Sequence, residues 1–143
     1  MSDDAIRNLS PEVIAERIKG TLVEAMGIEI GALDDGALNS TMTVRPDHLA
    51  PNGYLHAASV VALADTTAGF ATYAHLPDGA EGFTTIELKS NFLGTATEGQ
   101  LHCRATPQHT GRSTQVWDAE VTHPASGRTI AQFRCTQMIL WPK

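Results

Sequence analysis

One stretch limits the folding choices of this chain more than any other. LHAASVVALADTTAGFATYAHLP, residues 55–77, reads as one long apolar helix. Between Leu55 and Ala74 it carries a single formal charge, Asp65. On a wheel of about 100° per residue, Ala58, Val61, Ala62, Asp65, Ala68, Gly69 and Thr72 form one stripe, with valine its largest hydrophobic side chain. His56, Val60, Leu63, Thr67, Phe70 and Ala74 lie roughly opposite and are bulkier as a set. The bulky face is expected to pack on a sheet. The small-residue face lets another backbone, or a ligand, come close.

The partner sheet is legible on both sides of the helix. Residues 28–33 and 38–44 read as two strands joined by the turn Asp34-Asp35-Gly36. Four more strands are expected over 84–92, 101–105, 114–122 and 129–141. In 101–105, Leu101, Cys103 and Ala105 alternate with His102 and Arg104. In 84–92, Ile86, Leu88 and Phe92 share one parity. Such alternation, with one wet face, marks an antiparallel sheet. Ser10-Pro11-Glu12 is a helix start, and a short amphipathic helix follows to about Lys19, its apolar stripe continuing to Leu22 until Gly27 ends it. Helices on one face of an antiparallel sheet make an α+β domain. At 143 residues one domain is expected, spanning 1–143 with 1–20 as a helical extension. A chain of this size needs no disulfide or metal to hold its core.

Charge and composition exclude several functions. Sixteen acids against ten bases give a net charge of −6, which argues against a nucleic-acid partner, since such binding needs a basic surface. The N-terminal MSDDAIRNLS has no apolar core of a signal sequence, and no run is long and apolar enough to predict a membrane span. Cys103 and Cys135 both fall on apolar strand faces and are expected as buried free thiols. The chain is accordingly expected to be cytoplasmic. No His/Cys/Asp cluster has metal-ligand spacing.

Asp65 is the chemical question. A carboxylate inside an apolar helix is costly without partners, and desolvation raises its pKa toward that of a useful base or nucleophile. The alternative is an Asp that is partly exposed or bonded to a loop. The helix start adds a second element. Asn52-Gly53 precedes Leu55-His56-Ala57, where free backbone N–H groups and the positive end of the helix dipole can polarise a carbonyl oxygen. A plain cap by Asn52, and a structural role for His56, are the simpler readings. Ala57 and Asp65 are eight residues apart, about 12 Å along the axis. One copy of the helix therefore cannot serve one carbonyl with both. Two antiparallel copies can, which implies a dimer with two equivalent sites at its interface.

The stretch NGYLHAASVVALADT resembles the hotdog-fold acyl-CoA thioesterases, specifically the phenylacetate-pathway (PaaI-like) and hydroxybenzoyl-CoA thioesterase group. The family pattern is a Gly, a His followed by two small residues, and an Asp or Glu nine residues after the His. GFTTIELKSNFL and GRSTQVWDAEV…GRTIAQFRCTQ resemble its later strands, so the likeness covers about residues 20–140. It implies a long helix wrapped by a curved antiparallel sheet of about six strands, in homodimers that often pair into tetramers. The implied activity is hydrolysis of an aryl- or medium-chain acyl-CoA, with no cofactor. Asp65 matches the catalytic carboxylate, as general base or nucleophile. Ala57 matches the residue whose N–H holds the thioester oxygen, and His56 its supporting neighbour. Ahead of that motif, Asn52 is the catalytic candidate to substitute for the Asn or Gln that many members carry six residues before the His, and Gly53 is a substrate-binding candidate. Thr84 falls where some members place a water-positioning hydroxyl, and Arg112, Ser113 and Thr114 near where members contact the CoA nucleotide.

The chain also departs from the pattern. Ala57-Ala58 replaces a common Gly-Gly, Ala50 stands where many members have Asn or Gln, and Gly69 where a Ser or Thr often follows a catalytic Glu. Two other functions stand beside hydrolysis. A hotdog hydratase or dehydratase pairs a loop histidine with a helix acid; His48 and Asp65 are the candidates, though 17 residues apart. A non-catalytic acyl-CoA binder fits the departures.

Overall fold

The computed structural model describes residues 3–143, with side chains from Ala5 onward. Met1 and Ser2, the start of the expected extension, lie outside the described residues. Three short helices, α1 (Asp3–Arg7), α2 (Pro11–Ile18) and α3 (Leu22–Met26), precede two strands, β1 (Ile28–Asp34) and β2 (Ala37–Thr43). A 3-10 turn at Pro46–His48 leads to the long helix α4 (Ala57–Ala74). Four strands follow: β3 (Gly82–Phe92), β4 (Gln100–Thr110), β5 (Thr114–His123) and β6 (Arg128–Leu140).

The strands form one antiparallel sheet in the order β1-β2-β4-β5-β6-β3. The β1–β2 hairpin turns where Asp35 and Gly36 both take positive φ, 50° and 80°, the twist that suits a two-residue loop. β2 and β3 flank α4 in sequence yet lie four strands apart in the sheet. The chain must cross the sheet to join them, and α4 is that crossing. It packs against every strand, giving the α+β layering expected, a long helix held in a curved sheet.

The buried face of α4 differs from the expected one. Val60, Leu63 and Thr67 are buried as expected, but so are Ala64, Ala68, Ala71 and Thr72, while Phe70 is only half-buried. Alanines fill the centre because the sheet curls around the helix, and close approach leaves no room for long side chains. Asp65, Thr66 and Gly69 form the half-buried flank of this face.

The N-terminal segment also departs from expectation. The apolar stripe does not continue to Leu22, which is 65% exposed. Gly20 takes φ 73° and breaks the helix after Ile18. Gly27, at φ 72°, caps α3. Ser10 leaves the backbone of α2 uncapped and donates instead to the Glu12 carboxylate. Arg7 pins the segment to the far end of α4 by donating to the carbonyls of Leu76 (3.0 Å) and Ala80 (2.8 Å).

Polar side chains tie the end of α4 to the sheet. Gln115 Nε2 donates to the His75 carbonyl (2.8 Å) and its Oε1 accepts from Trp117 Nε1 (2.8 Å). The Trp117 ring meets His75 edge-on at 5.0 Å. Trp117 and Gln115 are fully buried. Cys103 and Cys135 are buried free thiols, both pushed up to about 12 by burial.

Candidate active site

The loop before α4 is built around His48. Its ring is fully buried. Nδ1 accepts from the Arg45 N–H (3.1 Å) and Nε2 donates to the Met26 carbonyl (2.9 Å). Its own carbonyl accepts from Ser59 Oγ (2.9 Å) and the His56 N–H (3.0 Å). Both ring nitrogens are thus spent on the backbone, and His48 holds the loop against the first turn of α4. Ahead of that turn the chain reverses at 50–54. Gly53, at φ 85°, donates to the Ala50 carbonyl (2.9 Å). Asn52 Oδ1 accepts from the Tyr54 N–H (3.1 Å), an Asx turn.

Asn52 therefore does not cap α4. His56 does. Its Nδ1 accepts from the Ala58 N–H at 2.9 Å, which assigns the remaining ring proton to Nε2. The Ser59 N–H turns back to the His56 carbonyl (3.0 Å). The Ala57 N–H has no acceptor among the described residues. Ala57 and His56 are exposed, so this donor, at the positive end of the helix dipole, faces outward.

Two turns on, Asp65 sits on the flank of α4. Burial raises its carboxyl above the ordinary carboxylate value. Its Oδ1 is buried and has no hydrogen-bond partner among the described residues. The alternative of an Asp bonded to a loop is not what the structure contains at that oxygen. After burial, the Asp65 carboxylate is a further cause that raises the Cys135 thiol of β6.

The bulge in β3 sets where Thr84 lies. Strict alternation would give Thr84 the parity of Ile86, Leu88 and Phe92. A bulge at Ile86, between Thr85 and Glu87, breaks that parity. Thr84 pairs with Met138 on the outer face and is exposed. Thr85 takes the inner position opposite Gln137, and its Oγ1 donates to Gln137 Oε1 at 2.7 Å.

Arg112, Ser113 and Thr114 lie at the β4–β5 hairpin, near the opposite end of α4 from Ala57. The Arg112 guanidinium stacks 4.1 Å over the Trp141 ring. Trp141 Nε1 donates to the Arg112 carbonyl (3.0 Å), and the Ile139 N–H to the Ser113 carbonyl (2.9 Å). A single chain therefore groups Asn52, Gly53, His56 and Ala57 at one end of α4, Asp65 at its middle, and Arg112 to Thr114 toward the other end.

Comparison with known proteins decides the family. Residues 52–130, more than half of the chain, match the thioesterase superfamily model. The chain belongs to the thioesterase superfamily. It is 31% identical to the proofreading thioesterase EntH of Cronobacter turicensis over 134 residues, covering 94% of this chain and 96% of that protein. It is 28% identical to the 1,4-dihydroxy-2-naphthoyl-CoA hydrolase of Escherichia coli, covering 94% and 97%. The PaaI protein of the Escherichia coli phenylacetic acid degradation operon superposes with a TM-score of 0.79 at 25% identity, covering 97% of this chain and 96% of that one. The six-stranded sheet around α4 is thus the hotdog fold of the thioesterase superfamily. Among the described residues no helix is long and apolar enough to cross a membrane.

Two inward polar residues of this thioesterase-superfamily chain escaped the sequence reading, Thr85 and Gln137. Gln137 carried a signal. It shares parity with Cys135 and Ile139, so it is a polar residue on the apolar face of β6.

Proposed function

We propose that the protein is an acyl-CoA thioesterase that hydrolyses an aryl- or medium-chain acyl-CoA to the free acid and CoA. The observation that carries this reading is Asp65: a half-buried carboxylate, raised by burial, with one oxygen unpartnered. A raised pKa brings a carboxylate nearer the working pH and makes it a better proton acceptor. Asp65 acts as general base on a water. The water oxygen attacks the thioester carbonyl carbon. The negative charge that forms on the carbonyl oxygen is met by the Ala57 N–H. Collapse breaks the C–S bond, and the thiolate leaves with the electron pair and takes the proton that Asp65 received.

The roughly 12 Å between Ala57 and Asp65 on one helix requires the oxyanion donor to come from a second copy. An edge of the sheet supports such pairing. β3 is an outer strand of 11 residues, with Ile86, Leu88 and Phe92 exposed by 53%, 41% and 45%. A long apolar edge is a template for another strand. Two copies joined along β3 by a two-fold axis form a homodimer with two sites, and dimers pair further into a tetramer. His56 orients the first turn, Asn52 and Gly53 shape the mouth, and the hairpin at Arg112, Ser113 and Thr114 receives the CoA nucleotide. The two free cysteines accord with a reducing, cytoplasmic setting.

The hydratase reading has lost its loop base, because both nitrogens of His48 are engaged. The test is thiol release across aryl-, short-, medium- and long-chain acyl-CoAs, with Ala57→Pro and light scattering beside it. Proline at the first helical position keeps the helix and removes only the N–H. Turnover is expected for aryl or medium chains and lost in Ala57→Pro. Tight acyl-CoA binding without thiol release makes the protein a binder, and a strict monomer that turns over excludes the two-copy site.

A further inference from the structure

The described residues contain two buried side-chain polar atoms without a hydrogen-bond partner, Asp65 Oδ1 and Gln137 Nε2. One is an acceptor and the other a donor. Leaving either unpaired is costly, so each calls for an explanation. They belong to facing elements, α4 and β6, which pack together.

The pairing of β3 with β6 locates them relative to one another. Gly69 of α4 stands over Phe83; a Cβ on Gly69 meets that ring at 3.4 Å. Phe83 pairs with Ile139. The start of α4 lies beyond the other end of β3, where the Leu55 N–H donates to Thr95 Oγ1 (3.2 Å), so Asp65, one turn before Gly69, falls on the Leu88–Cys135 side of Phe83. The Thr85–Gln137 pair lies between those two rungs. The orphaned amide nitrogen therefore sits in the same stretch of the helix–sheet layer as the orphaned carboxylate oxygen.

Gln137 is fully buried. Its Oε1 is already engaged by Thr85 Oγ1. That bond turns the Oε1 end of the amide to Thr85 of β3 and leaves the N–H₂ end unmet in the layer between β6 and α4. A methionine of similar volume would fill the position without an unpaired donor, so packing alone does not call for glutamine. A water satisfies both orphans at once, since it accepts from an amide N–H and donates to a carboxylate.

We propose that Gln137 seats the attacking water: its Nε2–H donates to the water oxygen while one water hydrogen faces Asp65 Oδ1. Thr85 locks the amide in the required orientation. This rests on the thioester-hydrolysis reading above. In the step itself, one water O–H proton passes to Asp65 and the oxygen pair that held it forms the bond to the carbonyl carbon. The Gln137 N–H remains on its nitrogen throughout. The role differs from that of Asp65, because Gln137 exchanges no proton and contributes position only.

The test combines crystallography with kinetics. A crystal structure of the wild-type protein is expected to show an ordered water about 3 Å from both Gln137 Nε2 and Asp65 Oδ1. Gln137→Met should lower kcat by roughly 10- to 100-fold with KM little changed, the pattern of a lost positioning contact. Gln137→Glu keeps an acceptor for Thr85 but sets a second carboxyl beside Asp65, so the acid limb of its kcat profile should move to higher pH. A residue that only supports the fold moves thermal stability and leaves that limb in place. A density map with no water between the two groups overturns the proposal, whatever the activity. So does a folded Gln137→Met variant with wild-type kcat. If the wild-type protein hydrolyses no acyl-CoA, the functional reading fails, and the water site is then judged on the density alone.

Discussion

Two polar clusters lie under α4, and they differ in what they leave unpaired. At the end of the helix, Gln115 uses both ends of its amide, one on His75 and one on Trp117. Gln137, its direct partner across β5 and β6, uses only one, and Asp65 at the middle of α4 has an orphaned carboxylate oxygen. Both glutamines are fully buried on inward strand positions. The first cluster is closed and ties helix to sheet. The second holds a donor and an acceptor that no described residue satisfies. A buried amide contributes to stability when both ends are met and costs stability when one is not. The proposed chemistry uses the second cluster and leaves the first to the fold.

Substitutions can break this contrast, and the largest effect is expected at Asp65. Asp65→Asn should lower kcat by about 10²- to 10⁴-fold, the range for loss of a general base, measured by thiol release. Stability should move the other way. The folded-state pKa of Asp65 is raised, so the native state holds this proton more tightly than the unfolded chain. Its effect on stability is nil below the unfolded value and turns unfavourable as pH rises through the folded value. Asp65→Asn should therefore match the wild-type melting temperature in acid and equal or exceed it near neutrality. For the same reason, the acid limb of wild-type kcat should lie above the ordinary carboxylate range.

In the closed cluster the losses should appear in folding. Trp117→Ala should cost about 3–5 kcal/mol in denaturant unfolding, the range for deleting a large buried aromatic. Gln115→Leu should cost about 1–3 kcal/mol, because it leaves the Trp117 N–H unmet in the core. Gln137→Met should change stability by less than about 1 kcal/mol, because it deletes an unmet donor along with one good bond. If Gln115→Leu and Gln137→Met prove equally destabilising, the contrast between the clusters does not hold.

Much of the fold was legible from the sequence, because period and parity are local properties. The long helix, the Asp35-Gly36 turn and the alternating strands all follow from spacing. Asp65 stood out because it is the lone charge in an apolar run. What was hidden depended on contacts between distant segments. The bulge at Ile86 shifts one strand by a residue, and no local composition marks it, so the spacing of β3 does not show that Thr85 rather than Thr84 faces inward. The helix ended near Lys19 as expected, but past the break at Gly20 a separate helix, α3, stands where only a continuing apolar stripe was read. Gln137 broke the apolar parity of β6, but a single polar residue on a strand gains meaning only once α4 is laid across it. The curl of the sheet, which decides that alanines line the buried face of α4, is a property of the whole domain.

The start of α4 has one more consequence. His56 lies at φ −69° and ψ 134°, an extended geometry that a following proline accepts, so Ala57→Pro should fold. In the two-copy site proposed above, chains bearing that change lack the oxyanion donor but keep the carboxylate, and Asp65→Asn chains have the reverse defect. Each is expected to be inactive alone. Mixed and allowed to exchange subunits, they form hybrids in which one site inherits both intact halves and the other inherits neither. Two dead proteins combined in one tube should thus recover activity, the behaviour geneticists call intragenic complementation.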